Sequence, residues 1–323
     1  MKISLVSPMY NEENVIDSSI KNLVSALKEL KTPWELIMVN DGSRDNTLKI
    51  AKQTAKNYGN VKIVSYPVNK GRGAALKEGF ANATGDIIVT TESDMSWGND
   101  IIKKMVTTLF DNPNVDMVIA SPHLKGGGYK KVPFFRVALS AVGNIVLGKA
   151  FGNDLTMLSG MTRAYRRKVI DTMNIESDGK EIHLEIASKA LALGYKIKEV
   201  PAILSWENKK KDSGKKRRKS SFNAKKLIIS HLIFSFNESP IILLGSLSAI
   251  FILLGFIIFA YLLYTYFAGD LNPVRPLMFL AIILLVVGVQ TVLFSFLAYQ
   301  NKDLKKQSLI LQKNVLEMQR KNK

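Results

Sequence analysis

Four short polar segments stand out in the first hundred residues because each follows a short apolar run. They are Pro8-Met9-Tyr10-Asn11-Glu12-Glu13, Asn40-Asp41-Gly42-Ser43-Arg44-Asp45-Asn46-Thr47, Asn69-Lys70-Gly71-Arg72-Gly73 and Glu92-Ser93-Asp94. Glu92 and Asp94 stand two apart, a spacing that lets one loop aim both carboxylates at a single divalent cation. Hard oxygen donors of this kind suit Mg2+ or Mn2+, which neutralises a nucleotide diphosphate leaving group. Taken alone, two acids in a loop are more often simply solvated. Asp41 has the lone pairs to accept hydrogen bonds from a base or ribose, although Asp-Gly-Ser alone is more often a turn. Gly71 and Gly73 allow backbone to come close to a ligand. No Gly-x-x-x-x-Gly-Lys-Ser/Thr is present, so a P-loop kinase or ATPase is unsupported. The absence of cysteine removes disulfides, Cys-ligated zinc and thiol nucleophiles.

The elements that must position these loops alternate in type. Ile3–Ser7, Glu35–Val39, Val61–Ser65, Ile87–Thr90 and Met117–Ala120 read as short buried strands. Between them, Ile16, Ile20, Leu23, Val24, Leu27 and Leu30 recur at helical spacing, and helices are expected near Thr47–Tyr58, Ala74–Ala83 and Ile101–Phe110. Such alternation gives an α/β fold with a mostly parallel sheet and helices on both faces. Ligands bind at the carboxyl ends of strands in such sheets, where all four polar loops would gather.

The rest of the chain is of another kind. The whole chain of 323 residues is 47% hydrophobic, with 45 Lys+Arg against 27 Asp+Glu and a formal net charge of +18. That excess is concentrated in the Lys-rich run from Lys209 to Lys226 and in the stretch after Asn301, which bracket an almost uncharged region. Ile241 to Phe267 and Pro276 to Tyr299 carry no charge, and each is long enough to cross a hydrocarbon core of about 30 Å. A two-helix transmembrane hairpin is expected over 240–300, with spans at 241–267 and 276–299. Basic flanks on both outer sides put residues 1–240 and the C-terminus in the cytoplasm, and the first residues show no signal-peptide pattern. Segment 219–239 reads as an amphipathic interfacial helix, with Phe222, Leu227, Ile228, His231, Leu232 and Phe236 on one face. In the basic 301–323 helix, Leu304, Leu311, Val315 and Met318 lie at near-heptad spacing, a weak pointer to a homo-oligomer. Next to a membrane span, the lysine cluster is better explained by anionic lipid and lipid-linked phosphate than by nucleic acid.

The ordered series of motifs resembles the inverting family 2 glycosyltransferases, more narrowly the dolichol-phosphate mannose synthase and polyprenyl-phosphate glycosyltransferase branch. The strand-end loops carry the resemblance, together with Ala83-Thr84-Gly85-Asp86-Ile87, Lys125-Gly126-Gly127-Gly128, Arg136 to Asn144, Ser159-Gly160, Arg163-Ala164-Tyr165-Arg166 and Leu193-Gly194-Tyr195-Lys196-Ile197 through Pro201. It covers roughly residues 1–220. It implies a Rossmann-like GT-A nucleotide-sugar domain over 1–218 and transfer of one sugar from a UDP- or GDP-sugar to a polyprenyl phosphate at the cytoplasmic face, with Mg2+ or Mn2+ as cofactor. By position, Pro8, Tyr10, Glu12, Asp41, Lys70, Gly71, Glu92 and Ser93 would hold the nucleotide-sugar, and Glu92, Asp94 and Ser96 the metal. Arg136, Arg163, Lys209 and Lys215 would gather the acceptor phosphate, and Asp154 would be a candidate base beside the catalytic Asp94 and Arg136. Departures accompany the match. Glu92 stands where the family usually has Asp, and Ser121-Pro122-His123 stands where Ser/Thr-Arg-Tyr is usual, leaving His123 or Lys125 to supply the missing phosphate contact. Two other readings compete. A processive polysaccharide synthase would carry Gln-x-x-Arg-Trp and more spans, and neither is present. A non-catalytic membrane adaptor draws on Glu92 and Pro122.

Overall fold

A computed structural model of the protein describes residues 1–94, 96–98, 100–151, 155–206, 240–269 and 276–321. It forms two compact units, one built on a sheet and one on two long apolar helices.

The sheet holds seven strands in the order β3-β2-β1-β4-β7-β5-β8. These are β1 (Ile3–Met9), β2 (Trp34–Asp41), β3 (Val61–Tyr66), β4 (Ile87–Thr90), β5 (Met117–Ser121), β7 (Arg163–Arg166) and β8 (Ile197–Pro201). The central strands are continuous apolar runs because helices cover both faces. Leu36–Val39 and Met117–Ala120 are fully buried throughout. Helix α1 (Ile16–Lys28) buries Ile16, Ile20, Leu23, Val24 and Leu27, the face read from its periodicity. Helices α2 (Thr47–Ala55), α3 (Arg72–Asn82) and α4 (Asp100–Asp111) follow β2, β3 and β4. Neighbours β1, β2, β3 and β4 pair in parallel.

The second half departs from simple alternation. β7 is inserted antiparallel between β4 and β5. Before it come β6 (Gly128–Lys130) and the long α5 (Phe134–Phe151); after it come α6 (Arg167–Asp171) and α7 (Ile182–Ala192). A separate two-stranded sheet pairs β6 in parallel with β9 (Ile203–Ser205).

The second unit contains all of α8 (Pro240–Phe267) and most of α9 (Pro276–Lys321). Both are long and apolar enough to cross a membrane. Leu253, Phe256 and Ile257 on α8 and Ile283, Phe294 and Phe296 on α9 are more than half exposed, which fits a lipid-facing surface better than a protein core. Small residues recur along their shared seam. Ser248, Gly255 and Leu262 are buried on α8, and Ala281, Gly288 and Ser295 on α9. A Cβ on Gly288 would lie 2.6 Å from the Ile252 side chain, and one on Gly255 2.8 Å from that of Leu285. The seven-residue recurrence on both helices is the period of a left-handed helix pair, with small residues letting the backbones approach. α9 does not stop near Tyr299: it runs unbroken for 46 residues. No Gly or Pro occurs after Gly288 to end it, and Leu304, Leu311, Val315 and Met318 are exposed along it.

Candidate active site

The first four strands end in loops that hold one another through side chains. The Glu12 N–H donates to Thr47 Oγ1 at 2.6 Å, and its carboxylate accepts the Ser93 hydroxyl, so the loop after β1 is tied to those after β2 and β4. Asn11, whose φ of 51° lies in the left-handed region that Asn tolerates, accepts the Arg44 N–H at 2.8 Å and donates its own N–H to Ser43 at 3.0 Å.

Asp41 ends β2 almost fully buried. Its carboxylate accepts the Tyr66 hydroxyl (2.8 Å), the Asn69 amide (2.8 Å) and the N–H groups of Lys70 (2.8 Å) and Gly71 (3.1 Å). Burial, then the Asp41 carboxylate, pushes the Tyr66 phenol well above its usual range, keeping it a neutral donor. Asp41 is therefore the post on which the Lys70–Gly71 turn is hung.

Gly71 and Gly73 are needed for a close approach, but what approaches is the chain itself. The Asp178 carbonyl accepts the Gly73 and Ala74 N–H groups at 2.7 and 3.2 Å, at the amino end of α3. A Cβ on Gly71, whose φ is 104°, would lie 2.5 Å from that oxygen, and one on Gly73 2.4 Å from the Ser177 carbonyl. Lys77 adds an ion pair to Asp178 at 2.6 Å. Segment 177–179 thus straps over the third loop, whereas Gly71 had been expected to face a ligand.

At the end of β4, Glu92 forms an ion pair with Arg72 at 3.7 Å. Asp94 Oδ1 accepts the Ser96 N–H at 3.1 Å and also the Ser96 hydroxyl. Ser96, expected among the metal ligands, is buried and braces Asp94. Among the described residues no three His, Asp or Glu side chains gather. Two carboxylates nonetheless fit a hard divalent cation that takes its remaining ligands from phosphate and water.

The second half of the site is organised differently. Arg163, expected on the acceptor phosphate, is fully buried. Its guanidinium donates to the Gly160 and His183 carbonyls at 2.7 Å each and to the Leu158 carbonyl. Burial lowers its pKa, opposed by Tyr165 and Glu199, while the three carbonyls satisfy N–H groups that burial would otherwise leave bare. This corrects the sequence reading: Arg163 fastens segment 158–160 to α7, and its complete burial keeps it from meeting a phosphate at the surface of the site. Glu199 secures the same segment by accepting the Thr156 and Met157 N–H groups at 2.8 and 2.7 Å. His123 packs edge-on against Tyr129, with its Nε2 3.0 Å from the phenol oxygen. Burial lowers its pKa, which disfavours the charged form that would meet a phosphate. Lys125 in the same loop is exposed. Arg136, in the first turn of α5, stacks 4.9 Å from the ring centre of Trp206.

The sequence signature of Glycosyl transferase family 2 matches residues 4–173, more than half of the chain. The chain belongs to glycosyl transferase family 2. It is 30% identical over 174 residues to the undecaprenyl-phosphate 4-deoxy-4-formamido-L-arabinose transferase of Proteus mirabilis, covering 53% of this chain and 51% of that protein. It is 29% identical over 205 residues to the dolichol-phosphate mannosyltransferase of Pyrococcus furiosus, covering 62% and 56%. The chain spans about half the length of the curated relatives it matches. The glucosyl-3-phosphoglycerate synthase of Mycobacterium tuberculosis, solved with Mn2+, UDP and phosphoglyceric acid, aligns with a TM-score of 0.50 over 63% of this chain and 69% of that one, at 22% identity. That likeness shows the shared GT-A fold.

Within this family frame the structure brings Glu12, Asp41, Lys70, Gly71, Glu92, Ser93 and Asp94 to one edge of the sheet, with Pro8 on β1 and the partly exposed Tyr10 just beyond it. Asp154, Lys209, Lys215 and the 219–239 segment lie outside the described residues. Sequence reasoning missed Arg72 and Trp206. Arg72 was visible between two glycines of the third loop, whereas Trp206 carried no signal until β9 was placed.

Proposed function

We propose that this protein is a membrane-anchored enzyme that moves one sugar from a UDP- or GDP-sugar to a polyprenyl phosphate with inversion. The observation that carries the reading is a family 2 domain, with two carboxylates at the end of β4, followed in the same chain by two exposed apolar helices. The names of the two curated relatives, a dolichol-phosphate and an undecaprenyl-phosphate transferase, support the same acceptor class. Lysine-rich flanks favour a cytoplasmic catalytic domain and cytoplasmic termini.

Glu92 and Asp94 would hold Mg2+ or Mn2+, which when bound neutralises charge on the departing nucleoside diphosphate. The Mn2+ in the related synthase structure supports that choice. Arg72, paired with Glu92, keeps that carboxylate in place and adds positive charge at the same corner. Pro8, Tyr10, Glu12 and the Asp41-anchored turn frame the nucleotide. The acceptor phosphate is already anionic near neutral pH, so the protein must position it and offset its charge more than deprotonate it. Arg136 is the described residue for that task, with Lys125 and the Lys209–Lys219 run as further cationic groups and Asp154 as a candidate base.

The test is to mix purified protein with polyprenyl phosphate, Mg2+ or Mn2+ and a panel of UDP- and GDP-sugars, and to measure glycolipid. One donor should give product, and Asp94→Ala should reduce the rate about 100-fold or more while leaving the fold intact. No product with any donor, or full activity in that variant, overturns the reading.

A further inference from the structure

β9 touches both halves of the site. The Ser205 N–H donates to the Ser96 carbonyl at 2.7 Å, and Ser96 in turn holds Asp94 through its own N–H and hydroxyl. One residue later, the Trp206 N–H donates to the Lys130 carbonyl at 3.0 Å, and the indole ring lies 4.9 Å from the Arg136 guanidinium carbon. An extended residue advances about 3.3 Å. The backbone that braces the metal-side carboxylate and the ring that carries the arginine are therefore one step apart, at the last residue of β9 and the one that follows it, each pinned by a backbone hydrogen bond.

We infer that Trp206 is a positioning residue: its indole face holds the Arg136 guanidinium ready for the acceptor phosphate, at a spacing from Asp94 that β9 sets. The inference rests on the transferase reading above. Indole is the strongest of the aromatic partners for a cation. A guanidinium engaged by its face hydrogen-bonds through its edge, the fork geometry that matches two phosphate oxygens at once. Stacking also removes rotamer freedom that a free arginine would lose on binding the acceptor. Lysine cannot reproduce the arrangement, because its ammonium is a point charge without a flat face.

The experiment uses the full-length protein in detergent with Trp206→Leu, Trp206→Phe, Arg136→Lys and the double variants. Trp206→Leu should raise the KM for polyprenyl phosphate about tenfold and leave the KM for the nucleotide-sugar within about twofold. Trp206→Phe, which keeps an aromatic face, should recover most of the loss. Adding Trp206→Leu to Arg136→Lys should cost little more than Arg136→Lys alone, because the same interaction is already gone. Equal rises in both KM values, a phenylalanine variant as poor as the leucine one, or additive losses would overturn the inference. If the leucine variant does not fold, Trp206→Gln takes its place in the same cycle: coupling with Arg136→Lys supports the inference and additivity overturns it. A wild-type protein with no transfer activity would instead sink the function proposed above.

Discussion

The two halves of the catalytic domain are held together by different means. Around β1 to β4, neighbouring strand-end loops are stitched side chain to backbone, with Asp41, Asn11 and Glu12 each spanning from one loop to the next. Around β5 to β9, the loops are hung on buried or stacked groups that reach across long stretches of chain: Arg163 to residues 158, 160 and 183, and Glu199 to residues 156 and 157. The first arrangement spreads its stability over many small contacts. The second concentrates it in a few groups, so single substitutions there should be far more damaging to folding than to any one ligand contact.

The sharpest way to break that contrast is Arg163→Met. It leaves three buried carbonyls without their donor, at a cost of about 3 kcal/mol or more. The thermal midpoint should fall by about 10 °C, with the KM for acceptor in the surviving folded fraction little changed. A variant of normal stability with a raised acceptor KM would return Arg163 to the phosphate site and dissolve the distinction. Next in size is Gly71→Ala. Its φ of 104° and the Asp178 oxygen 2.5 Å from the new Cβ should cost about 1–3 kcal/mol. The effect should appear in a thermal melt together with a higher KM for the nucleotide-sugar, because the strap and the Lys70–Gly71 turn shift together. An unchanged melt would mean that the strap yields freely.

The smallest effect is a pH dependence at the opposite edge of the sheet. Burial alone would raise the Glu35 pKa, but hydrogen bonds from Lys2, Ser4 and Thr84 outweigh it and hold the carboxyl at about 2 against an ordinary 4.5. A pKa depressed on folding stabilises the protein above pH 4.5, and that contribution is lost as pH falls from 4.5 towards 2. In Glu35→Gln, the acid limb of a stability–pH curve should be shallower over that window and the curve lower at neutral pH. Identical curves would show that this carboxyl takes no part in the acid response.

The same contrast explains how much of the molecule is legible in its sequence. β1 to β5 are apolar runs closed by polar loops, and the four loops announced the site because local composition is enough to mark a strand end. Asp41 and Gly71 were singled out as nucleotide contacts, yet the partners the structure gives them are Asn69 and Asp178, which only folding brings near. Arg163 was misread because a charged residue in a polar motif suggests solvent and anions. Its burial depends on three carbonyls supplied from elsewhere in the chain. β7 reads Arg-Ala-Tyr-Arg and β9 is three residues long, so neither has a period to detect; both exist because neighbouring strands offer them a ladder. The sequence placed a membrane span at 276–299 and a basic helix at 301–323; the structure joins them into one helix, because polarity does not break a helix in which Gly and Pro are absent.

That uninterrupted helix has a mechanical consequence. At 1.5 Å per residue, the 46 residues of α9 form a rod of about 70 Å, more than twice the thickness of a bilayer's hydrocarbon core. Sharp bends in helices come from proline, glycine pairs or bulges, and no Gly or Pro lies between Val289 and Lys321. Without a built-in hinge, the basic residues from Lys302 onward continue on the same helical backbone as the apolar length, so the angle at which that length crosses a bilayer would set the direction in which they leave it.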